Sequence, residues 1–370
     1  MPTSPPDEHD AHFMAVALRL AERGLGRTWP NPAVGCVVVG HGRIVGRGWT
    51  QPGGRPHAEV EALRRAGAQA LGATAYISLE PCAHYGQTPP CTMALLHAGI
   101  RRAVIAMADP DPRVDGRGID QLRQAGVEVA LGPGQAEAAQ LNAGFFLRVQ
   151  AGRPLVTLKL ATSLDGRIAT RAGASRWITG EAARRRAHQL RATHDAIVIG
   201  SGTALADDPA LTCRLPGLDD RSPVRVVLDG RLRLPPTSNL AVTARDVPTW
   251  VVTRAGADPR RRAALERQGV EVLTAAGAPA DIKGALAALA ARGLTRVLVE
   301  GGATVAAALL RARLVDRLVW FQAPVVIGGD GLAAVADLGV DALADCPRFQ
   351  PSHGAALARD AVQAYIVDTD

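Results

Sequence analysis

A chain of 370 residues, 47% hydrophobic and 21% charged, is long enough for two domains and has the balance of a folded globular protein. Its formal charge of +7 raises nucleic acid as a partner, but residues 1–148 set 14 Arg against 13 Asp and Glu, and aromatics are only 4%, so a stacking platform for single strands is poorly supplied. No apolar run reaches the roughly 18 residues of a membrane span, and five unevenly spaced cysteines favour metal binding or buried thiols over a disulfide framework.

The Pro-rich, acidic start, residues 1–10, has no basic-then-apolar signal pattern, so a cytoplasmic protein is expected. Residues 10–26 have helical spacing, with Phe13, Val16, Ala17 and Leu20 on one face. Residues 34–39 and 44–49 read as strands around His41-Gly42, a hairpin signal. A loop over 51–56 leads to a helix over 58–66, with His57 at its start. A strand over 73–79 ends at Glu80-Pro81-Cys82, and Cys91 opens a helix to about residue 98. Strand 103–107, helix 119–125, strand 127–131 and helix 135–149 follow, and residues 150–154 read as a linker. A second alternation has strands at 155–160, 196–199, 224–228, 249–253, 270–273, 296–299, 317–321 and 362–367. Its helices fall near 180–192, 258–268, 281–292 and 303–312. Alternating strands and helices imply two layered α/β domains, 1–150 and 151–370.

The chemistry concentrates in His57, Glu59, Cys82 and Cys91. One imidazole and two thiols suit a catalytic zinc with an open position for water, and Glu59 is spare for proton transfer. The zinc-deaminase signature is H-x-E followed by P-C-x-x-C; the first half matches, but eight residues separate Cys82 and Cys91. With His84 as a fourth ligand, the set would instead be structural. In the second half, Val299-Glu300-Gly301-Gly302-Ala303-Thr304 lies between a strand and a helix. It is either a cradle for an anion or simply a tight turn. The stretches 159–167 and 201–209 also follow strands, so three loops beyond strand ends make a cleft, with Arg191 and Arg214 as candidate phosphate ligands.

Taken together, the motifs HAEVEAL, EPCAHYGQTPPC and NPAVG in the first half, and KLATSLDGR, SRWITG, SGTALADDPALTCR and LVEGG in the second, resemble the bifunctional riboflavin-biosynthesis deaminase/reductases over nearly the whole chain. The resemblance implies a zinc-dependent, cytidine-deaminase-like three-layer domain followed by a dihydrofolate-reductase-like domain. The first would hydrolytically deaminate a phosphoribosylated diaminopyrimidinone. The second would use NADPH to reduce the ribosyl group to a ribityl chain. By motif match, His57, Cys82 and Cys91 take the zinc places and Glu59 the proton-shuttle place, while Asn31 lines the pyrimidine pocket. Ala161, Trp177, Thr203, Asp207, Gly301 and Gly302 match NADP-holding positions. Ser175, Arg191, Leu211, Arg214 and Glu300 match substrate-facing positions, and Lys159 lies in the reductase cleft.

Two residues depart from the family pattern. Thr50 stands where His is usual and Gln87 where Lys or Arg is usual, which puts the deaminase's hold on substrate in question. The expected partner is thus a small phosphorylated pyrimidine rather than nucleic acid or membrane, and a homo-oligomer is expected. A reductase with a weakened deaminase stays open as an alternative, as does a nucleic-acid base deaminase with an appended binding domain. Salt-dependent binding to single strands would mark the latter.

Overall fold

The structure, a computed structural model, describes residues 8–277 and 281–368, and the chain divides into two units, Met1–Ala151 and Gly152–Asp370. The chain start read above as lacking a signal pattern lies, over residues 1–7, outside the described residues.

The first unit runs α1 (Glu8–Glu22), β1 (Gly35–Gly40), β2 (Arg43–Trp49), α2 (Ala58–Ala66), β3 (Thr74–Ile77), α3 (Cys91–His97), β4 (Arg102–Ile105), α4 (Arg117–Gln124), β5 (Glu128–Leu131) and α5 (Gln135–Ala151). Among the described residues its sheet has the order β2-β1-β3-β4-β5; β1 is antiparallel to both neighbours, and β3, β4 and β5 are parallel. The β1–β2 turn is His41-Gly42, both at positive φ (50° and 72°), the geometry of a two-residue hairpin. The pleat explains the layering. Val37 and Val39 of β1 join Met14, Leu18 and Ala138 of α1 and α5 in one apolar cluster. Cys36 and Val38 point the other way and join Ala58, Ala62, Leu95 and Leu122 of α2, α3 and α4. The sheet is therefore sandwiched, giving three layers.

Two glycines seat α2. Gly46 and Gly48 pair with Val38 and Cys36, so they lie on the α2 side of the sheet. A Cβ on Gly48 would sit 2.2 Å from Ala58 O, and one on Gly46 2.2 Å from Ala62 O. Helix backbone thus rests directly on strand backbone. We expect Gly48→Ala to cost about 1–3 kcal/mol or more, as overpacking does, read as a lower denaturant midpoint. An unchanged midpoint would show that α2 does not need this close seat.

The second unit runs β6 (Leu155–Thr162), β7 (Arg167–Ala169), α6 (Glu181–Ala192), β8 (Ala196–Gly200), α7 (Ser201–Asp207), β9 (Val224–Leu228), α8 (Asn239–Val242), β10 (Thr249–Arg254), α9 (Pro259–Gln268), β11 (Glu271–Ala275), α10 (Ile282–Ala291), β12 (Arg296–Val299), α11 (Ala303–Arg311), β13 (Arg317–Gln322), β14 (Leu332–Ala333), β15 (Phe349–Leu357) and β16 (Asp360–Val367). Among the described residues, nine strands form one sheet, β11-β10-β9-β8-β12-β6-β13-β16-β15. It is parallel from β11 to β13, and β16 and β15 add antiparallel. β7 and β14 pair separately.

Three expectations are corrected here. The helix expected to end at residue 149 continues through Ala151, so its last residues occupy part of the stretch read as linker. The loop expected after residue 200 is the helix α7, built on Ala204, Leu205 and Ala206, good helix formers that outweigh the flanking Gly and Thr. The strand β15 was not expected at all. It is an edge strand whose central residues, Gln350 to Ala356, are all exposed, so no apolar alternation marks it.

Candidate functional site

His57 is the N-cap residue of α2, at the end of the loop that leads from β2 to the helix. Cys91 is the first residue of α3, and Cys82 lies on the loop between β3 and α3. The three donor atoms lie within 4.8 Å of one another. His57 Nδ1 is 3.3 Å from Cys91 Sγ and 3.7 Å from Cys82 Sγ. A tetrahedral zinc with S and N ligands has an N···S edge of about 3.6 Å, so the donor set fits the ion through Nδ1. On the other side of the ring, Asn31 Nδ2 is 3.3 Å from Nε2 and donates to Gly54 O at 2.9 Å.

The electrostatics agree with a cation site. Hydrogen bonds with Cys91 and His57 bring the Cys82 thiol down to about 4, while its hydrogen bond with Cys82, together with burial, pushes Cys91 well up. Burial also raises the Glu59 carboxyl, which is only 3% exposed. His84 does not join the cluster; it lines the same pocket, with Nδ1 buried and without a hydrogen-bond partner among the described residues.

The pocket, about 520 Å³, takes its walls from Asn31, Thr50, His57, Glu59, Cys82 and Asp109, among others. That volume suits a nucleotide-sized ligand. Thr50 is 2% exposed and its Oγ1 accepts Val34 N at 3.0 Å, so it is part of the wall's framework. Gln87 is exposed at the pocket. Arg55 Nη1 donates to Thr88 Oγ1 at 2.8 Å, which brings a guanidinium beside the same loop.

Glu80 was singled out by sequence only as part of a motif. Its carboxylate accepts four backbone N–H groups: Asp109 at 3.1 Å and Gly116 at 3.0 Å on Oε2, Gly118 at 2.8 Å and Ile119 at 3.1 Å on Oε1. It pins the segment after β4 and the start of α4 beside the Cys82 loop. A charged residue at the buried end of a strand was the available signal. Asp109 and Asp111 were also missed; both line the pocket.

In the second unit the loops after β6 and β12 and the helix α7 after β8 lie beyond the carboxyl ends of these strands, neighbours in the sheet. Glu300 follows β12 and receives Arg191 Nε at 2.7 Å and Nη2 at 2.9 Å; Lys159 Nζ of β6 is 3.6 Å away. Burial alone would raise the Glu300 carboxyl, but the charges of Arg191 and Lys159 outweigh it and hold it near its bottom, at about 2. Arg191 Nη1 also donates to Thr212 O at 3.0 Å. Leu211 is buried at φ 54°, and Arg214, whose N donates to His188 Nδ1 at 3.2 Å, is exposed. The structure therefore gathers Lys159, Arg191, Glu300, Leu211 and Arg214.

The turn Gly301-Gly302 packs on α7. A Cβ on Gly301 would lie 3.2 Å from Thr203 Oγ1, and Gly302 has φ 75°. The turn leaves backbone N–H groups at the start of α11, the kind of helix N-terminus that favours anions. Ala161 is half-buried near the end of β6. Ser175 and Trp177 lie on an exposed segment, hydrogen-bonded neither to each other nor to the Arg191–Glu300 pair; the Arg184 guanidinium sits 4.7 Å from the centre of the Trp177 ring. Arg176 Nη2 donates to Asp207 O at 3.4 Å, so that segment reaches the end of α7. A smaller pocket, about 200 Å³, lies at the ends of β9, β10 and β11, lined by Leu228, Val252, Thr253, Arg254, Ala285 and Val305 among others.

Comparison with known proteins places both units. Residues 7–107 match the zinc-binding region of cytidine and deoxycytidylate deaminases, and residues 154–363 match the RibD C-terminal domain. The riboflavin biosynthesis protein RibD of Bacillus amyloliquefaciens is 44% identical over 342 residues, covering 92% of each chain. RibD of Escherichia coli strain K12 is 44% identical over 352 residues, covering 92% of this chain and 95% of its own. Among solved structures, Acinetobacter baumannii RibD superposes with a TM-score of 0.87 at 39% identity, covering 98% of this chain and 99% of that one. The described part of the chain has no helix long and apolar enough to cross a membrane. The chain belongs to the RibD family, the bifunctional enzymes of riboflavin biosynthesis that join a zinc-dependent deaminase to an NADPH-dependent reductase.

Proposed function

We propose that the two sites work as follows. His57, Cys82 and Cys91 hold the zinc, and the observation that carries this is their donor spacing, which fits one tetrahedral ion. An ion held by these three residues would supply Lewis acidity, lowering the pKa of a water beside the ring carbon that bears the amino group. Glu59 takes the water's proton and delivers protons to the ring nitrogen and the leaving ammonia. Its burial keeps the carboxyl in a raised range, suited to both accepting and giving a proton. Asn31 holds the pyrimidine beside His57. Arg55, at the pocket rim next to Gln87, supplies the guanidinium for the substrate phosphate that position 87 lacks.

In the reductase, NADPH supplies the hydride. Gly301, Gly302 and Thr203 would hold its phosphates, and Ala161, Trp177 and Asp207 would be further residues that hold it. The pocket at the ends of β9, β10 and β11 would hold the adenosine portion. Ser175, Leu211, Arg214 and the Arg191–Glu300 pair face the ribosyl phosphate. Arg191 is already held by Glu300 through Nε and Nη2 and by Thr212 O through Nη1, so Arg214 is the cation better able to turn to phosphate. The independent units, 1–150 for the deaminase and 151–370 for the reductase, a cytoplasmic location and a homo-oligomeric assembly complete the reading. Expression of the separate halves, cell fractionation and mass in solution test these three.

Metal analysis tests the zinc assignment. Wild-type protein is expected to hold about one zinc per chain in this three-ligand site, and Cys82→Ser much less, because a serine hydroxyl does not ionise where a thiol does. Equal zinc in both proteins would sink the assignment. Incubation with the diaminopyrimidinone phosphate, with and without NADPH, followed by mass analysis, tests the two activities together.

A further inference from the structure

One face of α6 carries Arg184, His188 and Arg191, four and three residues apart, the spacing that stacks side chains on successive turns. Each holds a different stretch of the second-unit cleft. Arg184 Nη1 donates to Thr179 O at 2.9 Å, and its guanidinium lies over the Trp177 ring. Arg191 is committed to Glu300 and to Thr212 O. His188, between them, takes the two residues that follow Thr212. Its Nδ1 accepts Arg214 N at 3.2 Å, and its backbone O accepts Cys213 Sγ at 3.6 Å.

Residues 208–215 have no regular secondary structure, so their backbone amides need partners outside the segment. Cys213 N donates to Ser222 Oγ at 3.1 Å, and Arg214 N has the imidazole. The Arg214 side chain is exposed, and among the described residues its guanidinium is hydrogen-bonded through Nη1 to Thr212 Oγ1 at 3.3 Å. A long side chain so lightly held reaches where its own backbone aims it, and His188 fixes that backbone. Acceptance by Nδ1 requires the neutral ring, with its proton on Nε2. Burial, and then the charges of Arg191 and Arg214, pull the imidazolium down to about 4, against Glu300 and the Thr212 backbone, so the ring is neutral near pH 7. A protonated ring would set a third cation beside the two arginines and turn Nδ1 into a donor facing a donor.

We propose that His188 is a positioning residue of the reductase: by accepting the Arg214 N–H it holds the root of that side chain where the guanidinium can meet the substrate's phosphate. The inference rests on the reading of Arg214 as a phosphate ligand. It places His188 outside the chemistry, so its loss weakens the capture of substrate and spares the hydride step.

His188→Leu tests it, with the deaminated pyrimidine phosphate as substrate and NADPH oxidation as the readout. Leucine keeps bulk on α6 and removes the acceptor. The Michaelis constant for the pyrimidine is expected to rise about three- to tenfold, the effect of one neutral hydrogen bond, while turnover and the Michaelis constant for NADPH stay near wild type. His188→Asn sets an amide oxygen where Nδ1 stood and is expected to recover most of the loss. Arg214→Ala raises the pyrimidine Michaelis constant by itself, and in that background His188→Leu is expected to add nothing, because the side chain it positions is gone. A leucine that merely loosened the fold would instead lower turnover, weaken NADPH as well and act at full size in that background. Should His188→Leu fold poorly, His188→Ala makes the same test with less bulk. An unchanged pyrimidine Michaelis constant, no recovery in His188→Asn, or a full-sized effect on top of Arg214→Ala overturns the inference and leaves the reading of Arg214 standing. An Arg214→Ala protein with wild-type kinetics removes the reading and the inference together.

Discussion

Glu59→Gln is expected to reduce deaminase turnover by about 10²–10⁴-fold, the usual contribution of a positioned acid–base group, while zinc content and reductase activity stay at wild-type levels. Glutamine keeps the size and one acceptor oxygen, so α2 and its neighbours have no reason to move. What it loses is the ability to take a proton from water and give it up again. The carboxyl is 3% exposed and shares its surroundings with His57 and Cys82, so bulk water has little access to do the same work. Glu59 also lies two residues from His57 on the same helix start, so its position relative to the donor set is fixed by α2 rather than by a flexible loop. A variant that loses zinc would make Glu59 a structural support of the ligand set. Unchanged turnover would mean that protons travel by another group, with His84 the first to examine because it lines the pocket with an Nδ1 that has no hydrogen-bond partner among the described residues.

The division between what sequence carries and what it hides follows physical lines. The donor set was legible because metal chemistry admits few residue types and because His57 and Glu59 are close in sequence. The hairpin was legible because His41-Gly42 needs positive φ at both positions. Helix α2 was legible to the residue, since Ala58, Ala62 and Ala66 recur at helical spacing against a glycine-bearing strand. Other features depend on tertiary contacts that leave no local period. β15 has neither face buried, so its residues answer to β16 alone. The role of Glu80 exists only because amides from four residues, 29 to 39 positions away, converge on it. Asp109 becomes visible only when the pocket is assembled around it. The reductase cleft was legible as loops after strands, but the pairing of Arg191 with Glu300, 109 residues apart, was not.

That pair supports the second large prediction. Arg191→Met is expected to destabilise the reductase unit by about 3 kcal/mol or more, because it leaves a buried carboxylate with half its partners. Glu300 is 6% exposed at the side chain and Arg191 13%, so water cannot replace the guanidinium. Lys159, at 3.6 Å, remains and limits the loss. The pH dependence has a definite sign. The folded carboxyl of Glu300 lies at about 2, below the usual glutamate value near 4.3, so the stability it contributes is fully present above about pH 4.3 and is lost as pH falls towards 2. In the variant the carboxyl rises, so the gap between wild type and variant should narrow on acidification through that window. Glu300→Gln in the Arg191→Met background should recover much of the stability at neutral pH, since removing the charge removes the reason for the penalty. Unfolding monitored on both proteins and on the double variant decides the matter. A penalty that does not shrink with acid, or a double variant no more stable than Arg191→Met, would assign the loss to the packing of the arginine stem rather than to the stranded charge.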